Sequence, residues 1–335
     1  MTNIVFEPVQ QAEWAGSETD RRIGASLIAQ GKVACLILAG GQGSRLGVQG
    51  PKGAVIVSGQ KSLFQIFSEK ILHQSQQSQS PLYLAIMTSP LNHHQTVAFF
   101  EAHHHFGLPD PYLDFFEQKM LPLSDIQGNE ILEESGKIME APNGNGEAFH
   151  LLYRTGIFEK WRIAGVEYVN VILVDNCLAE PFDPELIGYQ VRTHHDVVIK
   201  AVCRTSADEK MGIVIQDQGR IRIAEYSEIP KEVFEAINPD GSLRLSIAST
   251  GLFSFHMNFI ERIVKDPHCQ LPLHKADKQI IVDQRRIPVY KYETFLFDLL
   301  IYTKAVGVLL YPRSEIYAPL KTSLDLEKIR NLKIG

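Results

Sequence analysis

Short apolar runs alternate with helix-like patterns along the first two thirds of this chain, and this alternation restricts its possible folds more than any other feature. Several runs are apolar at consecutive positions, which is typical of strands buried on both faces. The predicted strands cover residues 33–41, 81–89, 112–118, 167–176 and 196–204. The predicted helices cover residues 62–76, 91–105, 147–164 and 183–194. Strands and helices in alternation predict an α/β fold with a central mixed, mostly parallel sheet and helices on both faces.

The pattern changes after about residue 211, where regular alternation gives way to short strands. Two alternating runs flank a D-Q-G turn within residues 211–229, which predicts a hairpin. Residues 245–256 and 279–290 predict further strands. Residues 292–303 carry apolar side chains at helical spacing, which predicts a helix.

The composition argues against several functional classes. The chain has 335 residues, of which 44% are hydrophobic and 21% charged, as in ordinary globular proteins. A net charge of -6 argues against a general nucleic-acid-binding or anionic-membrane surface, so any anion site must be a local cluster. No apolar run reaches the roughly 18 residues of a membrane span, and the first residues lack the pattern of a signal peptide.

Four cysteines, at positions 35, 177, 203 and 269, are far apart and form no C-x-x-C pair. This spacing argues against a structural zinc site and against a disulfide framework. We therefore expect four reduced thiols in a cytoplasmic protein.

A glycine-rich stretch, L-A-G-G-Q-G-S-R-L-G-V-Q-G-P-K-G-A, covers residues 38–54, directly after the first predicted strand. In open α/β sheets, ligands bind at the carboxyl ends of the strands. Glycines let backbone N–H groups approach a ligand, and successive N–H groups in such a turn form a cradle for phosphate oxygens. Arg45 adds a guanidinium that can hold phosphate with two bonds, and Lys52 adds a point charge. The stretch therefore predicts a phosphate-binding loop.

The loop differs from two well-known phosphate-binding motifs. Gly41, Gly43 and Gly47 give G-x-G-x-x-x-G, which is one residue too long for the dinucleotide fingerprint and argues against an NAD-dependent dehydrogenase. The sequence contains no G-x-x-x-x-G-K-[ST] string, so the loop is not a P-loop. The alternative to a phosphate site is a glycine-rich connection that binds no ligand.

These residues resemble the nucleotide-binding signature of the UTP-dependent sugar-1-phosphate uridylyltransferases, L-A-G-G-Q-G-[ST]-R-L-G followed by P-K-G. Gln42 makes the loop most similar to the UDP-N-acetylhexosamine pyrophosphorylase branch. Further matching segments follow in order: M-T-S at 87–89, F-F-E-Q-K-M-L-P at 115–122, A-P-N-G-N-G-E at 141–147, G-V-E-Y-V-N-V-I-L-V-D-N at 165–176, E-Y-S-E-I at 225–229, Y-E-T-F-L-F-D at 292–298 and A-P-L-K at 318–321. The resemblance implies a three-layer, Rossmann-like nucleotidyltransferase fold of the glycosyltransferase-A-like type.

The resemblance also implies an activity, the transfer of a uridylyl group from UTP to a sugar 1-phosphate with release of pyrophosphate. An oxygen of the sugar phosphate attacks the α-phosphorus in line, and no covalent enzyme intermediate is required. The protein positions the substrates and neutralises charge, with Mg²⁺ as the implied cofactor. The implied partners are UTP and a sugar 1-phosphate, with N-acetylglucosamine 1-phosphate expected first, rather than nucleic acid or a membrane.

Positions that match the family's motifs imply roles for individual residues. The residues implied to bind the nucleotide are Leu38, Ala39, Gly40, Gly41, Gly43, Gln118, Gly144 and Asp175. Among them, the amide of Gln118 is expected to read uracil, because an amide can both donate to and accept from one base edge. The cations implied to hold the phosphates are Arg45, Lys52 and Lys321. The residues implied to contact the sugar are Asn145, Glu225, Ser249 and Phe295.

Asp175 is predicted to be the metal ligand because it ends the apolar run V-N-V-I-L-V-D. A carboxylate at the carboxyl end of a buried strand faces the ligand edge of the sheet. Mg²⁺ prefers oxygen ligands and commonly takes one or two carboxylates together with substrate phosphates. The alternative role is that of an aspartate that caps a helix or stabilises a turn.

Two departures from the family's pattern leave the sugar open. Glu147 puts an acid where the UDP-glucose branch also carries one, and Ser249 replaces a sugar-contacting asparagine. A UTP–glucose-1-phosphate uridylyltransferase or a broad UDP-sugar pyrophosphorylase is therefore the alternative with the same chemistry. A catalytically inactive protein that binds UTP or a UDP-sugar is the alternative of another class.

The resemblance also suggests a division of the chain. We expect a short N-terminal helical segment over residues 1–30 and a catalytic domain over residues 31–305. A small C-terminal segment over residues 306–335 is expected to carry Lys321 and to close over the site, which would exclude water.

Overall fold

The computed structural model describes residues 4–43, 46–47, 50–78, 80–133, 135–282 and 285–332. Its strands are β1 Glu13–Trp14, β2 Val33–Leu38, β3 Ile56–Ser58, β4 Lys61–Ser62, β5 Tyr83–Thr88, β6 Leu113–Glu117, β7 Met120–Pro122, β8 Glu140–Pro142, β9 Tyr168–Leu173, β10 Val197–Cys203, β11 Ile213–Asp217, β12 Arg220–Ala224, β13 Ile247–His256, β14 His274–Val282, β15 Arg285–Glu293 and β16 Val306–Leu310. Its α-helices are α1 Glu18–Ala29, α2 Leu63–Gln77, α3 His93–Ala102, α4 Ala148–Arg154, α5 Ile157–Ile163, α6 Pro184–Thr193, α7 Lys231–Phe234, α8 Met257–Lys265, α9 Arg313–Ile316 and α10 Ser323–Arg330.

Ten of the described strands form one central sheet in the order β1-β16-β10-β13-β9-β2-β5-β6, and the hairpin β11–β12 branches from β13. Neighbours are parallel from β9 through β2 and β5 to β6, and again from β1 through β16 to β10. Strand β13 is antiparallel to both of its neighbours, β10 and β9. The sheet is therefore mixed and mostly parallel, as the alternation of strands and helices predicts.

Strand β2 shows how the sheet divides the core into two layers. All six of its residues are buried, which explains why the run is apolar at consecutive positions. Ala34, Leu36 and Leu38 pack into one apolar cluster with α4, α5 and α8. Val33, Cys35 and Ile37 pack into a second cluster, with α2, α3 and α6, on the other face. The fold thus has three layers, helices on both sides of the sheet, as predicted.

Most predicted strands and helices are present with small shifts at their ends, and the predicted hairpin is β11–β12. Four elements differ. The strand predicted over residues 279–290 is instead parts of two strands, β14 and β15, which pair antiparallel as a hairpin. The helix predicted over residues 147–164 is two helices, interrupted where Gly156 adopts a φ of 82°. The helix predicted over residues 292–303 is a 3₁₀ helix, Leu296–Tyr302. Strand β16 lies inside the central sheet, between β1 and β10, whereas the sequence pattern gives no strand there.

Two further features concern the cysteines and the helices. The cysteines are free thiols, and burial raises the pKa of the Cys177 thiol to about 11. In the part of the chain that the structure describes, the helices are too short or too polar to cross a lipid bilayer.

Candidate functional site

The carboxyl ends of four neighbouring parallel strands, β9, β2, β5 and β6, meet at one edge of the sheet. The residues that follow these ends are Asp175, the glycine loop from residue 39, Ser89 and Gln118. Ligands bind at this edge in open α/β sheets. Two adjoining cavities lie here, and they share Leu38, Asn145, Leu173 and Phe295 in their walls.

The first cavity, which we call the glycine-loop cavity, has a volume of about 390 Å³. Its walls include Gly40, Gly41, Lys52, Gln118, Gly144 and Lys291. The first five of these residues are predicted site residues, and they come from three separate segments of the chain. The structure therefore brings together most of the residues that the sequence assigns to the nucleotide.

Gln118 lies against the glycine loop. Its side chain is almost fully buried, and its backbone N–H donates to the Thr88 carbonyl at 2.9 Å, which continues the pairing of β5 and β6. A Cβ at Gly40 would lie 2.2 Å from Gln118 Nε2, well inside contact distance. Gly40 is thus required because the amide of Gln118 occupies the space that any larger side chain would need.

Buried hydrogen bonds from the turn after β5 shape the glycine loop. Asn92 Nδ2 donates to the carbonyl oxygens of Ala39, at 2.9 Å, and Gly41, at 3.2 Å. Ser89 Oγ donates to the Gly40 carbonyl at 2.9 Å, and Asn92 Oδ1 accepts from Ser89 N at 2.8 Å. Because these donors bind the carbonyls of residues 39–41, they fix the backbone at the start of the loop independently of any ligand.

The second cavity, which we call the Glu225 cavity, has a volume of about 270 Å³. Its walls include Asp175, Glu225, Tyr226, Ser249, Phe295 and Lys321. All six come from segments that match the family's motifs or lie beside them, and five are predicted site residues. Aromatic and aliphatic side chains form much of the remaining wall, which suits a small ligand with both polar and apolar faces.

Lys52 and Asp175 join the two cavities. Lys52 lies in the wall of the glycine-loop cavity and Asp175 in that of the Glu225 cavity. Lys52 Nζ is 3.1 Å from Asp175 Oδ2, and both side chains are mostly shielded from solvent. A cation and a carboxylate therefore meet where a group bound in one cavity would reach a group bound in the other.

The C-terminal segment brings Lys321 to the same place. The backbone N–H of Leu320 donates to the Asp175 carbonyl at 2.7 Å. The buried side chain of Asn176 donates to the Ile316 carbonyl at 2.8 Å and accepts from Ala318 N at 3.0 Å. Asn176, which follows the predicted metal ligand, thus attaches this segment to the sheet rather than facing the cavity.

The surroundings of the Glu225 carboxyl group shift its pKa. Burial is the main cause that raises its pKa above the usual range, and the neighbouring Glu228 raises it further. His274 and Lys321 lower the pKa of Glu225 in part. A buried acid that lies next to a second acid, in the wall of a cavity, is typical of a group that binds a ligand.

The residues that depart from the family's pattern occupy two different places. Ser249 is in the wall of the Glu225 cavity, and its hydroxyl accepts from the Gly251 N–H at 3.2 Å. Glu147 lies beside the site, where its carboxylate pairs with Lys119 at 2.8 Å, just before helix α4. Of the two departures, Ser249 is therefore the one whose side chain borders a cavity.

Two predicted residues, Ala39 and Gly43, are not in the walls of either cavity, and a third, Arg45, lies outside the described residues. Ala39 is buried, its N–H donates to the Met87 carbonyl at 2.7 Å, and its own carbonyl accepts from Asn92. Gly43 N donates to the Gly50 carbonyl at 3.0 Å, within the loop. The assignment of these three residues to the nucleotide and its phosphates stays a prediction.

Sequence reasoning missed several residues of the site. Ser89 and Asn92 have a visible signal, because polar side chains directly follow a buried strand. Lys291 and Glu293 lie in the wall of the glycine-loop cavity and form an ion pair at 2.7 Å. They have no such signal, because they lie near the end of the hairpin β14–β15.

The chain is similar in sequence to several known proteins. A family described as UTP–glucose-1-phosphate uridylyltransferase matches residues 9–331. The UDP-N-acetylglucosamine pyrophosphorylase of Saccharomyces cerevisiae is 31% identical over 341 residues, which cover 94% of this chain and 71% of the yeast protein. The UDP-N-acetylhexosamine pyrophosphorylase-like protein 1 of Xenopus tropicalis is 35% identical over 325 residues, which cover 92% of this chain and 63% of that protein. The chain spans 66% of the length of a relative from Dictyostelium discoideum and 61% of one from Mus musculus.

Solved structures confirm the predicted nucleotidyltransferase fold. The crystal structure of the uridine diphosphate N-acetylglucosamine pyrophosphorylase from Trypanosoma brucei, in complex with an inhibitor, matches with a TM-score of 0.86 at 28% identity. The match covers 97% of this chain and 72% of that chain. A UDP-glucose pyrophosphorylase from Leishmania major shares the fold with a TM-score of 0.80 at 21% identity.

Proposed function

The chain belongs to the UTP–glucose-1-phosphate uridylyltransferase family, and from this premise we propose that it transfers the uridylyl group of UTP to a sugar 1-phosphate. We propose N-acetylglucosamine 1-phosphate as the acceptor. The products are UDP-N-acetylglucosamine and pyrophosphate. Since the chain is shorter than its curated relatives, the proposal concerns the activity of the chain as given.

One observation carries the proposal: the ion pair of Lys52 and Asp175 lies where the two cavities adjoin. The glycine-loop cavity, with Gln118 at its wall, suits a nucleotide whose base is read by an amide. The Glu225 cavity suits a sugar, because its carboxylate and hydroxyl groups can bond hydroxyls while its aromatic wall packs on the ring. The α-phosphorus of UTP would then lie beside Lys52, between the two substrates.

The reaction needs charge and alignment more than acid–base chemistry. An oxygen of the sugar phosphate forms a new bond to the α-phosphorus, and the bond from that phosphorus to the bridging oxygen of the β-phosphate breaks. Pyrophosphate leaves with the electron pair. Lys52 and Lys321 are far apart in sequence but lie in the walls of the two adjoining cavities. Their positive charges would reduce the repulsion between the two anionic substrates near this phosphorus.

Magnesium is part of the proposal, and one predicted ligand, the carboxylate of Asp175, fits it. Among the described residues, no group of three or more histidine, cysteine, aspartate or glutamate side chains is arranged to hold a metal. Asp175 is a single carboxylate at the sheet edge, which fits Mg²⁺ because this ion commonly takes one or two carboxylates and completes its shell with phosphates and water. When bound there, the ion would withdraw negative charge from the phosphates.

The choice of the acetylated sugar is supported by the names of the yeast, Xenopus and Trypanosoma proteins, which specify UDP-N-acetylglucosamine or UDP-N-acetylhexosamine. Asn145 supports the same choice, since it matches that branch and lies in the walls of both cavities. Ser249 favours glucose 1-phosphate as the second candidate. Its side chain is shorter than that of the asparagine it replaces, and its hydroxyl oxygen already accepts a hydrogen bond from the Gly251 N–H.

The test is release of pyrophosphate from UTP with Mg²⁺ and a panel of sugar 1-phosphates: N-acetylglucosamine, N-acetylgalactosamine and glucose. We expect the highest kcat/KM with N-acetylglucosamine 1-phosphate and no turnover without a sugar phosphate. Turnover confined to glucose 1-phosphate would replace the acceptor. UTP binding without product from any sugar phosphate would identify a binding protein instead of an enzyme.

A further inference from the structure

His274 lies between two carboxylates at the start of strand β14, beside the Glu225 cavity. Its Nδ1 is 2.6 Å from Glu228 Oε1, and its Nε2 is 2.8 Å from Asp298 Oδ2. The side chain is 14% exposed, and that of Asp298 is 6% exposed. When both carboxylates are ionised they can only accept hydrogen bonds, so both ring nitrogens donate and the ring is an imidazolium.

One partner of His274 belongs to the turn that carries Glu225. Glu228 N donates to the Glu225 carbonyl at 2.9 Å, which closes the turn. The side chain of Glu228 is held by His274, and Glu225 faces the cavity. His274 thus anchors one wall of the cavity through a turn of four residues.

The other partner belongs to the opposite, aromatic wall. Asp298 Oδ2, which bonds His274, also accepts from the Phe295 N–H at 3.4 Å. The Phe295 ring packs on the imidazole with 4.8 Å between ring centres and stacks on Phe297 at 4.9 Å. The next residue, Leu296, donates its N–H to Asn145 Oδ1 at 2.9 Å.

We propose that His274 is a positioning residue that joins these two walls of the Glu225 cavity and thereby sets the place of the sugar, an inference that rests on the proposed function. It touches neither substrate. It acts through Glu228 on the turn of Glu225 and through Asp298 on Phe295. The three linked segments are separate in sequence, so noncovalent contacts such as those of His274 must keep them in this arrangement.

Electrostatics agree with the geometry. Burial by itself lowers the pKa of His274, but the hydrogen bonds to Asp298 and Glu228 outweigh burial and raise that pKa to about 10. Without the positive ring, two carboxylates near each other in a partly buried place would repel and would lose their shared donor. The cavity wall would then loosen at Glu228 and at Asp298 together.

The kinetic test uses His274→Asn, with His268→Asn as the matched control because His268 is exposed nearby on the loop before β14. We expect the KM for the sugar 1-phosphate to rise roughly tenfold or more in His274→Asn while the KM for UTP stays within about twofold. The control should match the parent protein. Equal increases in both KM values, or no change in either, would overturn the proposal.

The second test needs no variant and no activity. In ¹⁵N-labelled protein, the ring of His274 should carry protons on both nitrogens at pH 8, where an unperturbed imidazole, with a pKa of about 6.5, is neutral. A neutral His274 ring at pH 8 would contradict the proposal, even if His274→Asn fails to fold.

A third readout separates this proposal from the proposed function. Hydrogen exchange at the amides of Glu228 and Phe295 should speed up in His274→Asn and not in His268→Asn, with no substrate present. If the sugar panel gives no product but exchange speeds up at both amides, the function is wrong and the link between the walls stands. Unchanged exchange at both amides would refute the link whatever the panel shows.

Discussion

The two cavities of the site are built in different ways. The glycine-loop cavity takes most of its wall from the ends of the parallel strands β9, β2, β5 and β6 and the loops after them, and the rest from residues 142–145 and 291–295. The Glu225 cavity takes most of its wall from segments spread over residues 210–321, which include the end of the hairpin β11–β12, strand β13, a 3₁₀ helix and the C-terminal segment. The first cavity is thus made mainly by the sheet edge, and the second depends more on long-range contacts such as those of His274.

This difference predicts which substrate a given mutation should affect. A change among the strand-end loops should act on the nucleotide, and a change in the hydrogen-bond chain around Glu225 should act on the sugar phosphate. Lys52 and Asp175 are the exception, because their ion pair joins the two cavities.

The largest effect is expected for Lys52→Ala. It removes a positive charge from the place where both substrates meet, so kcat/KM for both should fall by about 10³-fold, or about 4 kcal/mol of transition-state stabilisation. The measurement is steady-state release of pyrophosphate. Lys61→Ala is the matched control, because Lys61 is exposed and pairs with Glu69 outside the site. A loss of less than tenfold, or a loss confined to one substrate, would mean that the cavities do not meet at Lys52.

A smaller and one-sided effect is expected for Gly40→Ala. The new Cβ would lie 2.2 Å from Gln118 Nε2, so the amide must move. The KM for UTP should rise by roughly tenfold or more, and that for the sugar phosphate should stay within about twofold.

Gly41→Ala provides the comparison, since a Cβ there meets its nearest neighbour, Lys52 Cε, only at 3.9 Å. Its effect should be clearly weaker than that of Gly40→Ala. Equal effects of the two variants would show that Gly40 is not needed to leave space for the Gln118 amide.

The smallest effect is expected for Glu225→Gln, and it depends on pH. Because burial raises the pKa of Glu225, its carboxylate takes up a proton at a higher pH than an exposed glutamate as the solution is acidified. A carboxylate accepts two or more hydroxyl donors, and the protonated form accepts fewer. The KM of the parent protein for the sugar phosphate should therefore rise on the acid side.

In Glu225→Gln this rise relative to neutral pH should disappear, while the KM at neutral pH increases by roughly threefold. Comparing the two proteins with the same substrate cancels the titration of the sugar phosphate itself. Parallel pH profiles for the two proteins would remove Glu225 from sugar binding.

The same difference between cavities explains what could be predicted from the sequence. The central sheet, the helices on both faces and the strand-end residues Gln118 and Asp175 follow from apolar runs and from what comes directly after them. These are local signals. Ser89 and Asn92, which hold the start of the glycine loop, also have a local signal, because they closely follow the buried strand β5.

The rest depends on contacts between distant segments. Strand β16 is recognised only once it pairs with β10, about a hundred residues earlier in the chain. The break at Gly156 is decided by one backbone conformation. The ion pairs of His274 join positions 46 and 24 residues away, and nothing in the neighbouring sequence marks them.

A crystal structure of the protein with UDP-N-acetylglucosamine tests the central claim most directly, because under the proposed function this product would span both cavities. We expect the uracil within hydrogen-bond distance of the Gln118 amide, the sugar in the Glu225 cavity, and the phosphate bonded to uridine beside Lys52 and Asp175. A uracil away from Gln118, or a sugar outside the Glu225 cavity, would contradict the account.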